Sequence, residues 1–157
     1  MTARRGPSLP IVPVFVDTGA YYAFADARDR NHARADELFG ILGRRRFPLH
    51  TTHLIVAETH VLLKSRVAYY ATRQHARSVA RRAVEAIYRS SVAIDPVTPA
   101  DERAALALLA QYADQDVSFT DATSFALMHR LGLTHAFCFD EDFTIAGFTD
   151  IRHALLA

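Results

Sequence analysis

The sequence predicts an α/β domain of three layers, with a mostly parallel sheet of four or five strands and helices on both faces. Three observations carry this. Short apolar, β-branched runs alternate with longer stretches of helical periodicity, the pattern that parallel βαβ units impose. Half of the 157 residues are hydrophobic, which suffices for one buried core. Two of the apolar runs end on an aspartate, Asp17 and Asp140. In parallel sheets the carboxyl ends of the strands face the ligand crevice.

Residues 1–10 carry Gly6, Pro7 and Pro10 and read as a loose lead-in, with residues 11–157 as a single domain. Val12 to Val16 is a short β-branched and aromatic run, hence a buried strand. Thr18 to Ala25 and Asn31 to Leu42 read as helices. Pro48 to Thr51 reads as a second strand, followed by helices from His53 to Arg66 and from Tyr69 to Arg89. Val92 to Ile94 is a third strand stopped by Pro96. Pro99 stands where a helix to Tyr112 begins, a position at which its missing N–H costs little. Ser118 or Thr120 opens the next helix, which ends at Gly132. Ala136 to Phe139 is a fourth strand and Asp150 to His153 a weak fifth. No repeat, low-complexity tract or interdomain linker interrupts this order.

Composition excludes several classes. Charged residues make up 22% of the chain and Gly and Pro are scarce, which argues against disorder. The lone cysteine, Cys138, excludes an internal disulfide framework and fits a reducing cytoplasm. No apolar run nears the ~20 residues of a membrane span, and Ile11 to Val16 is too short for a signal core. A soluble, cytoplasmic protein is expected. Net charge is only +1, yet it is segregated. Val61 to Ser90 holds seven Lys or Arg against Glu85, and Asp95 to Asp150 holds ten acids against Arg103 and Arg130. Such a division suits a polyanion held near a metal, and equally suits solvated helix faces.

Four acids stand out. Asp17 and Asp140 each follow a strand, where an aspartate either caps the next helix or serves a site. Glu58 shares a helix face with Leu54, Ile55, Val61 and Leu62, all within about 60° on the wheel. An unpaired carboxylate there is costly, so Glu58 is either in an internal ion pair or functional. Asp121 follows Ser118 by three, the spacing of a capping box, and shares the face of Phe125 and Met128, so it points inward. Clustered carboxylates raise one another's pKa unless a divalent cation neutralises them. An all-oxygen set suits Mg2+ or Mn2+ better than zinc.

These residues resemble a known family. Val16-Asp17-Thr18-Gly19-Ala20 with Asp29-Arg30-Asn31-His32 is similar to the opening of a PIN domain of the bacterial VapC-toxin type. Thr51-Thr52 with Glu58 resembles its second motif. Ser118-Phe119-Thr120-Asp121-Ala122 resembles the third, and Phe139-Asp140-Glu141-Asp142-Phe143 with Gly147-Phe148 the fourth. The resemblance implies a PIN-like fold and a Mg2+- or Mn2+-dependent endoribonuclease, with Asp17, Glu58, Asp121 and Asp140 as catalytic and metal-holding residues. It implies RNA as substrate and a cognate antitoxin protein as partner. A homodimer is the candidate assembly, and no membrane partner is expected. Arg66 to Ser90 departs from the family's smallest members in length and basic character. A non-catalytic PIN module and a DNA-directed nuclease remain alternatives at this point.

Supporting candidates are Thr18 and Thr120, as hydroxyl donors to the ligands, and Asp142, as a supplement to Asp140. Asp116 is assigned at most an outer role. Arg73, Arg77 and Arg81 recur every fourth residue on one helix face and are candidates for gripping RNA phosphates, or simply a solvated stripe. His53 and His60 lack zinc spacing around Glu58. An aspartyl phosphatase is excluded because position 19 is Gly rather than a second acid.

Overall fold

The computed structural model describes residues 9–155, so most of the expected lead-in lies outside the described residues. A five-stranded sheet, all of its pairings parallel, runs in the order β3-β2-β1-β4-β5. The strands are β1 (Val14–Val16), β2 (Leu49–Thr52), β3 (Ala93–Asp95), β4 (His135–Phe137) and β5 (Thr149–Asp150). Two helices, α1 (Thr18–Ala25) and α2 (His32–Arg44), link β1 to β2. Two more, α3 (His53–Val67) and α4 (Arg73–Arg89), link β2 to β3. The return from β3 passes through α5 (Pro99–Gln111) and α6 (Phe119–Leu131), and the short α7 (Asp142–Ile145) and α8 (Ile151–Leu155) follow. Right-handed crossovers that run in opposite directions across a parallel sheet lie on opposite faces. The α5–α6 pair therefore covers the face opposite α1 to α4, which completes three layers.

The central strand is β1, and Val14, Phe15 and Val16 are wholly buried, as expected of a strand covered on both sides. The chain leaves β1 toward β2 and returns to its other side as β4. The crevice between the carboxyl ends of β1 and β4 is thus the topological switch point. Phe125 on α6 anchors the layer beside it. Its ring meets Phe143 of α7 edge-on at 5.0 Å and Phe148 at 5.7 Å. This cluster fixes α6 and α7 to each other, and these elements carry the acids of one side of the crevice.

The structure corrects the sequence reading in three places. The helix expected from Tyr69 begins at Arg73, capped by the Thr72 hydroxyl, which accepts from the His75 N–H at 3.1 Å. Before it, Tyr70 is held in a turn by donating its hydroxyl to Asp26, so a tertiary contact overrides helical propensity. The weak fifth strand covers only Thr149–Asp150, because the Asp150 carboxylate accepts from the Arg152 N–H at 2.9 Å and starts α8. The helix α7 was not anticipated. Among the described residues no helix is long and apolar enough to cross a membrane.

Phe125→Ala should destabilise the domain by about 3–5 kcal/mol, the range for emptying a buried aromatic site. Urea unfolding measures this, and a loss below ~1 kcal/mol would show that the aromatic cluster does not hold α6 in place.

Candidate active site

One cleft of about 680 Å³ opens at the switch point, and Asp17, Glu58, Asp121 and Asp140 all line it. Each reaches it for a local reason. Asp17 ends β1 and caps α1, its Oδ2 accepting from the Gly19 N–H at 3.4 Å. Glu58 lies on α3 facing α1, where the Thr18 hydroxyl donates to its Oε2 at 2.5 Å. Asp121 completes a capping box: the backbone N–H and hydroxyl of Ser118 donate to its Oδ2 at 2.9 and 2.8 Å. Asp140 follows β4, and its Oδ1 accepts from the Asp142 N–H at 3.2 Å. Capping and a place in the cleft therefore coexist at Asp17 and Asp121. Among the described residues, Glu58, Asp121 and Asp140 each keep one carboxylate oxygen without a hydrogen-bond donor.

The electrostatics follow from this crowding. Burial first, then the charges of Asp140 and Asp121, push the Asp17 carboxyl well above the usual carboxylate range. Asp140 is raised by burial and by Asp121, against smaller opposing effects that include Arg152. Asp142 rises to about 6 through burial and the charges of Asp140, Asp121, Asp116 and Glu141. An all-oxygen donor set in which Asp17 and Asp140 are raised fits a hard divalent cation, which would relieve the repulsion. Among the described residues, no three acid, His or Cys side chains have closed around a common point.

The other candidates divide. Thr18 is in the cleft. Thr120 and Asp142 do not line it: Thr120 offers its backbone carbonyl to the hydroxyls of Thr123 and Ser124, and Asp142 opens α7. The stripe of Arg73, Arg77 and Arg81 is exposed and lies outside the cleft, with Arg81 engaged by Glu85 at 2.6 Å. Sequence reasoning gave too little to Asp116, which lines the cleft from the loop before α6, placed Arg30 and Asn31 only within a family motif, and gave no role to Arg66 and Tyr22, which line it too. Arg66 was legible: it stands eight residues after Glu58, two steps of i+4 along one helix face. A second concavity of about 440 Å³ lies between α1, α2 and α4. It is walled by residues such as Phe24, Phe39 and Ile87 and includes none of the acids, so the chemistry belongs to the first.

A parallel sheet in this order, with acids lining the cleft at its switch point, is the arrangement of a nuclease of the PIN class. The PIN domain family profile matches residues 14–148, and the chain belongs to that family. It is 32% identical over 139 residues to the 23S rRNA-specific endonuclease VapC20 of Mycobacterium tuberculosis, covering 88% of this chain and 98% of that protein. The crystal structure of M. tuberculosis VapC20, described as a sarcin-ricin loop cleaving toxin, superposes with a TM-score of 0.76 at 30% identity, over 87% of this chain and 97% of that one. PAE2754 from Pyrobaculum aerophilum shares the fold, with a TM-score of 0.62 at 20% identity, over 92% and 95% of the two chains.

The raised acids set a pH dependence. Folding raises the Asp17, Asp140 and Asp142 carboxyls, so the folded chain binds more protons than the unfolded chain across that window. Stability is lost as pH climbs from the ordinary carboxylate range through the folded values. Asp101, held near 2 chiefly by hydrogen bonds from Arg130, has the opposite sign but acts only below about pH 4. His135, pushed down by burial, also opposes, so a paired comparison is needed. In chelator at pH 7.5, Asp142→Asn should unfold about 2–4 °C above wild type, a modest gain because the carboxylate is partly open to solvent. The gap should shrink as pH falls toward about 4. A gap that stays constant with pH would contradict the electrostatic origin.

Proposed function

We propose that this chain is a Mg2+- or Mn2+-dependent endoribonuclease that hydrolyses RNA phosphodiester bonds, and that it is the toxin of a toxin–antitoxin pair acting in the cytoplasm. The observation that carries this reading is the presence of Asp17, Glu58, Asp121 and Asp140 in one cleft at the switch point of the sheet. Membership of the PIN family and similarity to a 23S rRNA-specific endonuclease support it. The relative's substrate class makes 23S rRNA the first RNA to test, and its description as a toxin favours a cognate antitoxin as partner.

In this reading the four carboxylates hold the cation. When bound, a divalent ion there supplies Lewis acidity, favouring deprotonated water as nucleophile and stabilising charge on the leaving oxygen. The chain's own residues set the stage for it. The Thr18 hydroxyl fixes the Glu58 carboxylate by one oxygen and leaves the other toward the cleft. Ser118 does the same for Asp121, so neither acid can swing away without losing a charge-assisted hydrogen bond. The Asp17 carboxyl, buried at the floor and raised in pKa, is the group most in need of a positive partner.

The test is cleavage of a 23S rRNA fragment by the purified protein, followed by sequencing of the new RNA ends. Wild type should cut at defined positions with Mg2+ or Mn2+ and stop in chelator. Asp121→Asn should lose at least about 100-fold in rate, because even the outer partners of metal ligands are worth ~10–100-fold, while keeping its fold. Cleavage that survives both chelator and this substitution would overturn the metal mechanism. Intact RNA under all metal conditions would overturn the ribonuclease reading itself.

A further inference from the structure

Asp17, Asp121 and Asp140 line the cleft near the carboxyl ends of β1 and β4, Glu58 lines it from α3, and Asp29 and Asp116 line it from the bordering loops. The cleft's only cationic side chains among the described residues are Arg30, from the turn between α1 and α2, and Arg66, from the last turn of α3. Glu58, Leu62 and Arg66 line the cleft from successive turns of α3, so Arg66 begins about 12 Å along the axis from Glu58. Its side chain leans back toward that residue, as helical side chains do.

Neither arginine makes a salt bridge to a protein acid among the described residues, although acids surround the cleft. The Arg66 side chain and the backbone turn that bears Arg30 are nevertheless held in place. The Arg66 guanidinium lies over the Tyr22 ring at 5.1 Å. The Tyr22 hydroxyl donates to the Asp26 carboxylate at 2.7 Å, and that buried carboxylate also accepts from Tyr70 and from the Arg28 N–H. The turn that bears Arg30 is pinned by Asp29, whose Oδ1 accepts from the Asn31 N–H at 2.8 Å. Unpaired guanidiniums at the edge of an acidic site are suited to an anion that the site itself does not neutralise. Guanidinium forks match phosphate oxygens in geometry as well as charge.

We propose that Arg30 and Arg66 bind a backbone phosphate next to the scissile one, so that single-stranded RNA runs along the groove between α1 and α3, from the carboxylates toward Tyr22. This rests on the ribonuclease reading and assigns substrate grip to these two residues rather than to the exposed stripe on α4. Asp26 and Tyr22 are positioning residues, acting through Arg66.

The test is binding of a labelled single-stranded RNA to Asp140→Asn protein in Mg2+ over a range of salt concentrations, with and without Arg30→Gln and Arg66→Gln. Each phosphate contact on a single strand contributes about 0.7 to the salt slope. The double substitution removes one phosphate contact and should therefore flatten the slope by about 0.7 and weaken binding roughly tenfold or more at low salt. Arg66→Lys should keep most of the slope, because the charge remains. Both arginines are exposed, so the unfolding midpoint should fall only slightly, through the lost Arg66–Tyr22 contact. In the otherwise wild-type enzyme the double substitution should raise KM and leave kcat nearly unchanged. Equal affinity and slope with and without the arginines would overturn the proposal, as would failure of the Asp140→Asn protein to bind RNA at low salt. If the slope falls while wild type cuts no RNA, the arginine assignment stands and the ribonuclease reading fails. If wild type cuts RNA and the slope is unchanged, the reverse holds.

Discussion

Repulsion among carboxylates that the backbone forces into one crevice is the constraint around which this domain is arranged. Burial and the charges of Asp140 and Asp121 raise the proton affinity of Asp17, and burial and the charge of Asp121 raise that of Asp140; Asp17 is almost fully buried. Uncompensated, such a cluster would push its elements apart. The fold opposes this locally. Asp17 sits at the amino end of α1 and Asp121 in the first turn of α6, where helix dipoles and free N–H groups favour negative charge. Glu58 and Asp121 are each tied down by a hydroxyl. What local compensation leaves over would be relieved by the cation that the proposed function calls for.

The scaffold's rigidity is what lets that strain persist. The buried β1 strand, Val14–Val16, is paired on both sides, to β2 and to β4, so the residues that follow β1 and β4 cannot drift independently. The aromatic cluster of Phe125, Phe143 and Phe148 clamps α6 to α7 beneath Asp121 and Asp140. On the other side of the crevice, α1 and α3 are joined by the Thr18–Glu58 hydrogen bond and by Arg66 on Tyr22. A cleft built this way gathers its donors before any ligand arrives, which reduces the ordering that binding must bring about.

Much of this was legible in the residues. Asp17 and Asp140 were marked by their positions after apolar strands. Glu58 was marked by a charge among apolar residues, although the buried face of α3 runs through Ile55, Val56, Thr59 and Leu63, and Val61 of the expected face is exposed. Ser118 and Asp121 announced their capping box by spacing alone. What escaped depended on contacts between distant segments. Tyr70 looks like a continuation of helix until its hydroxyl is seen to reach Asp26, forty-four residues earlier. Ile151 favours a strand until Asp150 caps the turn before it. Thr120 neighbours Asp121 in sequence, but the helix carries it out of the cleft. The reverse holds for Asp116, which loop geometry brings in. The alternating pattern fixes where strands end. It does not say which side chains of the flanking turns meet there.

Calorimetric titration of Mn2+ into the metal-free protein at pH 7.5, and again near pH 5, tests most directly the claim that the crevice acids form one cation site. The account predicts saturable binding in the wild type, with protons released because Asp17 and Asp140 start with raised proton affinity. Affinity should fall sharply near pH 5 and should be lost in Asp17→Asn, whose fold is kept because asparagine caps a helix as well as aspartate does. Binding of equal affinity in wild type and Asp17→Asn, independent of pH, would contradict it.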